Sequence, residues 1–159
     1  MSAQLKAIRL GLRLLPAPLR ERAGAQLFAM NRDHGEPERE TLWRHQGEEV
    51  QYHGLHAVRF GRKDDPIVLF MHGWEGRGLQ FNAFIQPLLD AGYQPIALDG
   101  TAHGRNERKG HYPGLPTFSL HLERLIQELK PAAIFAHSLG SAAAIVAASR
   151  TDFEGKVIC

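Results

Sequence analysis

The sequence predicts an α/β protein: a mostly parallel sheet with helices on both faces, preceded by an antiparallel hairpin and incomplete at the C-terminus. Three observations carry this. Short apolar runs recur at residues 66–71, 95–99 and 132–135, each of strand length and each leading into a loop. Stretches of helical periodicity separate them. Ahead of the first run, residues 41–46 and 50–60 read as two strands, with Gly47-Glu48-Glu49 as the turn between them.

The elements follow in order. Residues 1–30 carry Lys6, Arg9, Arg13, Arg20 and Arg22 against Glu21 alone. Leu5, Ile8, Leu12 and Leu15 form one helical stripe, and Leu10 and Leu14 fall on another. Arginines interrupt the leucines, which argues against a signal-peptide core and for a helix packed on the domain. A membrane-surface anchor is the alternative reading. Residues 31–39, with Gly35 and Pro37, read as a polar linker, so the expected division is 1–38 (basic helical segment and linker) and 39–159 (the α/β domain). Residues 78–91 read as a helix with Phe81, Phe84, Ile85, Leu88 and Leu89 on one face, bent or started late by Pro87. Leu122, Leu125, Ile126 and Leu129 repeat at helical spacing between Thr117, a cap, and Pro131. Residues 141–148 hold five alanines with Ile145 and Val146, which suits a helix packed tightly on a sheet. Residues 156–159 read as the start of another core strand.

Composition excludes some classes. With 19 basic and 17 acidic residues the net charge is +2, and no basic run alternates with aromatics, so a nucleic-acid partner is not expected. The sole cysteine, Cys159, is terminal and leaves no internal disulfide, which agrees with a cytoplasmic location. No apolar stretch reaches the roughly 18 residues of a membrane span. No metal-ligand spacing is present, and neither metal nor cofactor is expected.

The chemistry concentrates where the apolar runs end. Ala136-His137-Ser138-Leu139-Gly140 joins a predicted strand to the alanine-rich helix and reads as a nucleophile elbow. A serine hydroxyl is a weak nucleophile and needs exposure and a base, and a tight strand-turn-helix lifts it above the sheet. Such a turn needs small residues two before and two after, here Ala136 and Gly140. The usual pattern has glycine in both places. The run at 66–71 leads into His72-Gly73-Trp74-Glu75-Gly76, whose Trp74 N–H, with that of Leu139, could face a developing oxyanion, Gly73 allowing close approach. The third run ends at Asp99 before Gly100-Thr101-Ala102-His103-Gly104-Arg105-Asn106. Taken singly, each of these is also an ordinary strand-to-loop junction; their order on successive strand ends is the specific signal.

Together the three sites resemble the alpha/beta-hydrolase superfamily, serine hydrolase type, from about Val50 onward. Residues 67–73 resemble its strand and His-Gly oxyanion loop. Residues 99–106 resemble its D-x-P-G-H-G-x-S stretch, with Thr101, Ala102 and Asn106 as departures. The resemblance implies hydrolysis of a small-molecule ester-like or related acyl bond without a cofactor. It makes Ser138 the nucleophile and Trp74 and Leu139 the oxyanion donors, with Gly73 in the oxyanion loop and His72, Asp99, His103, Gly104, Ala136 and Gly140 in support. It also implies that an acid and then a histidine follow the serine along the chain. Only 19 residues follow Gly140, none a histidine, and the acids among them, Asp152 and Glu154, belong to the far end of the sheet. The chain therefore reads as a C-terminally truncated N-terminal part of the domain. His72 and His103 are the substitute bases available, while His137 reads as packing or loop structure. The other readings are a non-catalytic remnant, a partner-dependent binding protein whose exposed sheet edge needs a partner or drives self-association, and an acyltransferase of the same fold. Arg77, Arg105, Arg108 and Lys109 read as a solvated loop, or as a preference for an acidic substrate.

Overall fold

The computed structural model describes residues 3–29, 34–108 and 113–159, and the chain divides into two units, Met1–Asn31 and Arg32–Cys159. The first unit is a pair of helices, α1 (Ala3–Arg13) and α2 (Ala17–Ala29). The leucine stripe does not run on as one helix. Pro16 lacks an N–H, and the chain tightens into three-residue turns as Leu14 and Leu15 donate to Gly11 and Leu12. Ile8, Leu10, Leu14, Leu15 and Leu19 are exposed.

The second unit runs α3 (Glu38–Gln46), β1 (Glu48–Tyr52), β2 (Leu55–Arg59), β3 (Ile67–Met71), a 3-10 turn (Gly78–Phe81), α4 (Asn82–Asp90), β4 (Gln94–Leu98), α5 (Leu115–Leu129), β5 (Ala133–Ala136), α6 (Leu139–Ser149) and β6 (Lys156–Ile158). The described strands form one sheet in the order β1-β2-β4-β3-β5-β6. β1 and β2 are antiparallel to their neighbours; β4, β3, β5 and β6 run parallel. Met71 pairs with Leu98 on one side and Ala136 on the other. The three central strands thus end flush, and the loops that follow them emerge together.

Two apolar layers hold the sheet, as alternation along a strand requires. Leu69, Met71, Ile96, Leu98 and Ile134 pack with Phe118, Leu122 and Leu125 of α5 and Ala143, Ala144 and Ala147 of α6. Val58, Val68, Phe70 and Ala97 pack with Leu79, Phe81 and Ile85 on the other side. Each large side chain so buried contributes roughly 1.5–3 kcal/mol.

Several expectations are corrected. Residues 41–46 are not a strand but most of α3, whose Glu38 and Glu40 sit in the first turn and Arg44 and His45 in the last, as the helix dipole favours. The hairpin turn is not at 47–49. It is His53-Gly54, both at positive φ (50° and 79°), the twist a two-residue hairpin turn needs. The helix expected at 78–91 starts as the 3-10 turn, and Phe84 on its apolar face is 49% exposed. Thr117 is not the cap of α5. The helix begins at Leu115 after Gly114, and Thr117 donates its hydroxyl back to the Gly114 carbonyl. β6 is present, but its Lys156 and Ile158 are exposed.

Candidate active site

Ser138 stands between the end of β5 and the start of α6 with φ 54° and ψ −118°. A positive φ is rare for a residue with a Cβ and costs on the order of 1–3 kcal/mol, so it persists only where the surroundings impose it. Here they do. His137 N–H donates to Met71 O at 3.0 Å and Gly140 N–H to His137 O at 2.9 Å, pinning the turn on both sides of the serine. Gly140 lies against β3 so closely that an added Cβ would fall on the Met71 and His72 carbonyl oxygens. A serine in this place would ordinarily bond the free N–H groups of the first helical turn, but Ser138 makes no such cap bond, and its side chain is exposed. Leu139 is the first residue of α6, where N–H groups lack an intrahelical acceptor.

The loop after β3 faces this turn. An added Cβ on Gly73 would lie 2.9 Å from Ser138 Cβ and 3.1 Å from His137 O, so glycine is what allows the two loops to touch. Gly76 N–H donates to Gly73 O at 3.1 Å, closing residues 73–76 into a turn with Glu75 at φ 56°. His72 is fully buried. Its Nδ1 donates to Gly73 O at 2.6 Å, and its Nε2 accepts the Gly100 N–H at 2.8 Å. Those two bonds fix the tautomer. Burial pushes the His72 pKa down to about 4, so the ring is a neutral clamp between the loops after β3 and β4.

Asp99 is the junction of the loop after β4. Its carboxylate accepts from Gly78 N–H at 2.8 Å, Arg105 N–H at 3.0 Å and His56 Nδ1 at 3.0 Å. Burial alone would raise its pKa. The hydrogen bonds from His56, Arg105 and Gly78 outweigh that and hold the carboxyl below its usual range. On the far side of the imidazole, Nε2 meets Glu49 at 2.8 Å. Burial opposes the charge on His56, yet Asp99 and Glu49 together raise its pKa. Asn106 adds a second link, accepting the His56 N–H at 2.7 Å and donating to the carbonyls of Asp99 (2.7 Å) and Gly100 (3.0 Å). Gly104, at φ 53°, gives the Asp99 carboxylate its space.

His103 is 1% exposed and donates from Nδ1 to Thr101 O at 2.8 Å. Its ring lies among His72, Trp74 and Phe118, at centroid distances of 5.1, 5.5 and 5.3 Å. Burial lowers its pKa. The elbow, the Gly73–Trp74 loop and the Asp99 loop are thus brought to one end of the sheet. His72 and His103 lie there too, but packed as structural rings rather than open to a substrate. His137 is exposed, so of its two expected roles the loop role fits and packing does not. Asp152 and Glu154 follow α6 and precede β6, at the opposite end. Lys109 lies outside the described residues. Sequence reasoning missed His56, Glu49 and Gly78. His56 meets Asp99 across 43 positions, which no local pattern reveals, whereas Gly78, set before an apolar face, was a legible sign of close backbone approach to β4. Among the described residues no group of three His, Cys, Asp or Glu side chains is arranged to hold a metal, and no helix is long and apolar enough to cross a membrane.

A mostly parallel α/β sheet with a strained serine at the strand-to-helix turn, beside a glycine loop, defines a class of protein. The alpha/beta hydrolase family model matches residues 68–159, and the chain belongs to that family. It is 28% identical over 112 residues to the AB hydrolase superfamily protein YfhM of Bacillus subtilis (strain 168), covering 65% of this chain and 38% of that protein. It is 36% identical over 93 residues to the magnesium-chelatase 30 kDa subunit of Rhodobacter capsulatus, covering 56% of this chain and 32% of that one. Among solved structures it is similar to a thioesterase domain from the curacin biosynthetic pathway, with a TM-score of 0.58, 28% identity, and coverage of 69% of this chain and 41% of that one. The matched region thus spans about a third of the curated relatives' length.

Proposed function

We propose that this chain carries the nucleophile and oxyanion half of a serine hydrolase acting on a small-molecule ester-like or related acyl bond. Ser138 is the nucleophile. The N–H groups of Leu139 and Trp74 receive the charge that develops on the carbonyl oxygen. The observation that carries this reading is the backbone of Ser138: a strained, exposed, uncapping serine at φ 54°, held against Gly73. Strain of this kind in a loop between a strand and a helix is a mark of functional placement. The similar thioesterase domain supports the acyl class of substrate. In the proposal the general base is a histidine outside these 159 residues, because His72 is neutral and fully bonded and His103 is enclosed by rings.

The test is labelling with a fluorophosphonate probe. A polypeptide carrying this sequence together with the acid and histidine should label, and Ser138→Ala should abolish it. The 159-residue chain alone should react some 10²–10⁴-fold more slowly, the usual contribution of a general base. Labelling that survives Ser138→Ala overturns the assignment.

A further inference from the structure

A cavity of about 350 Å³ lies against β2 and β4, on the sheet face that carries Val58 and Ala97. Gly73, Trp74, Ser138 and Leu139 do not line it. Its apolar lining is Val58, Leu79 and Ala97. Its charged lining is mostly cationic: Arg44, Arg77, Arg105 and Arg108, with His56 beside them, against the carboxylates of Glu36 and Asp99. Asp99 is already bonded to three donors. Glu40 and Glu49, outside the lining, pair with Arg77 and Arg44. The arginines come from three separate segments: α3, the loop after β3 and the loop after β4.

A guanidinium has five N–H donors in a planar fork matched to phosphate oxygens. Arg105 is half exposed, and its contacts to Glu36 (3.7 Å) and Glu49 (3.6 Å) exceed hydrogen-bond length, so its fork can turn onto a ligand. We propose that this cavity binds a small phosphorylated organic molecule. The phosphate dianion is held by Arg77 and Arg105, and a compact apolar body rests on Val58, Leu79 and Ala97. A phosphomonoester offers three terminal oxygens to the two forks, where a carboxylate offers two. The volume exceeds that of a bare phosphate and lies at the lower end of small-molecule sites.

Phenyl phosphate is the probe, titrated calorimetrically at pH 7.5 into the 159-residue chain at constant ionic strength. Binding should be saturable and 1:1, and at least tenfold tighter than that of inorganic phosphate or benzoate. Arg77→Gln and Arg105→Gln should each weaken it at least tenfold. Circular dichroism checks the fold of both variants, and Arg105→Gln decides if Arg77→Gln unfolds, since Arg105 is the more exposed. Ser138→Ala should leave binding unchanged, which separates this site from the proposed nucleophile. The proposal is overturned by a linear, unsaturable response, by benzoate or inorganic phosphate binding as tightly, by undiminished affinity in a folded Arg105→Gln, or by loss of binding in Ser138→Ala.

Discussion

His72 donates from Nδ1 to Gly73 and accepts at Nε2 from Gly100, so only the neutral imidazole satisfies both partners. A second proton would break the bond from Gly100 and place a charge in a fully buried site. The folded pKa of about 4 lies below the ordinary 6.5. The unfolded chain therefore takes up the proton first as pH falls. The stability contributed by neutral His72 is complete above pH 6.5 and is lost progressively between 6.5 and about 4. At pH 4.5 the loss amounts to roughly 2–3 kcal/mol. His103, also depressed by burial, acts in the same direction, and His56, raised by its carboxylates, acts in the opposite one. Urea unfolding at pH 7.5 and 4.5 should show a smaller pH difference in His72→Asn than in the parent. Equal differences would remove His72 from the explanation. The close approach at the strand-to-helix turn was legible in Gly140, which has no room for a Cβ against β3. The role of His72 was not, since a histidine after a strand looks alike whether it is a base or a clamp.

At the scale of elements, α6 shows how small residues set a distance. Gly140, Ala143, Ala144 and Ala147 recur on one face and are buried, while Ile145 on the other is 57% exposed. The helix lies close to the sheet because nothing larger than a methyl group intervenes. Ala144→Val should overpack this contact and destabilise the protein by about 1–3 kcal/mol. Ile145→Ala, although it removes more atoms, should stay within about 0.5 kcal/mol. Chemical denaturation of both variants checks the pair, and a larger cost for Ile145→Ala would reverse the assignment of faces. β3, β4 and β5 were legible because central parallel strands are buried on both sides and read as unbroken apolar runs. Residues 41–46 were misread because Leu42 is exposed and Trp43 only partly buried, so the period of α3 is faint; the helix is declared by the charges at its ends.

At the scale of the whole molecule, the sheet ends on one side in β6, paired with β5 and with no further strand among the described residues. Ile158 there is 43% exposed. An edge with free N–H and C=O groups and apolar side chains is a template for pairing. Sedimentation velocity over a range of concentrations should show the 159-residue chain associating, and Ile158→Lys should shift it toward monomer. Association unaffected by the charge would point to another surface.

The opposite side of the sheet has a consequence of its own. The stretch that the family model matches, residues 68–159, contains the strand-to-helix turn of Ser138, the glycine loop and Asp99, and so looks like a cassette that could be cut out and grafted elsewhere. It could not be. Asp99 is anchored by His56, His56 by Glu49, and Asn106 by the His56 backbone, all from the hairpin upstream. A graft that starts at residue 68 would carry every recognisable motif and leave behind the brace that keeps the loop after β4 in place. The smallest transplantable unit is larger than the smallest recognisable one.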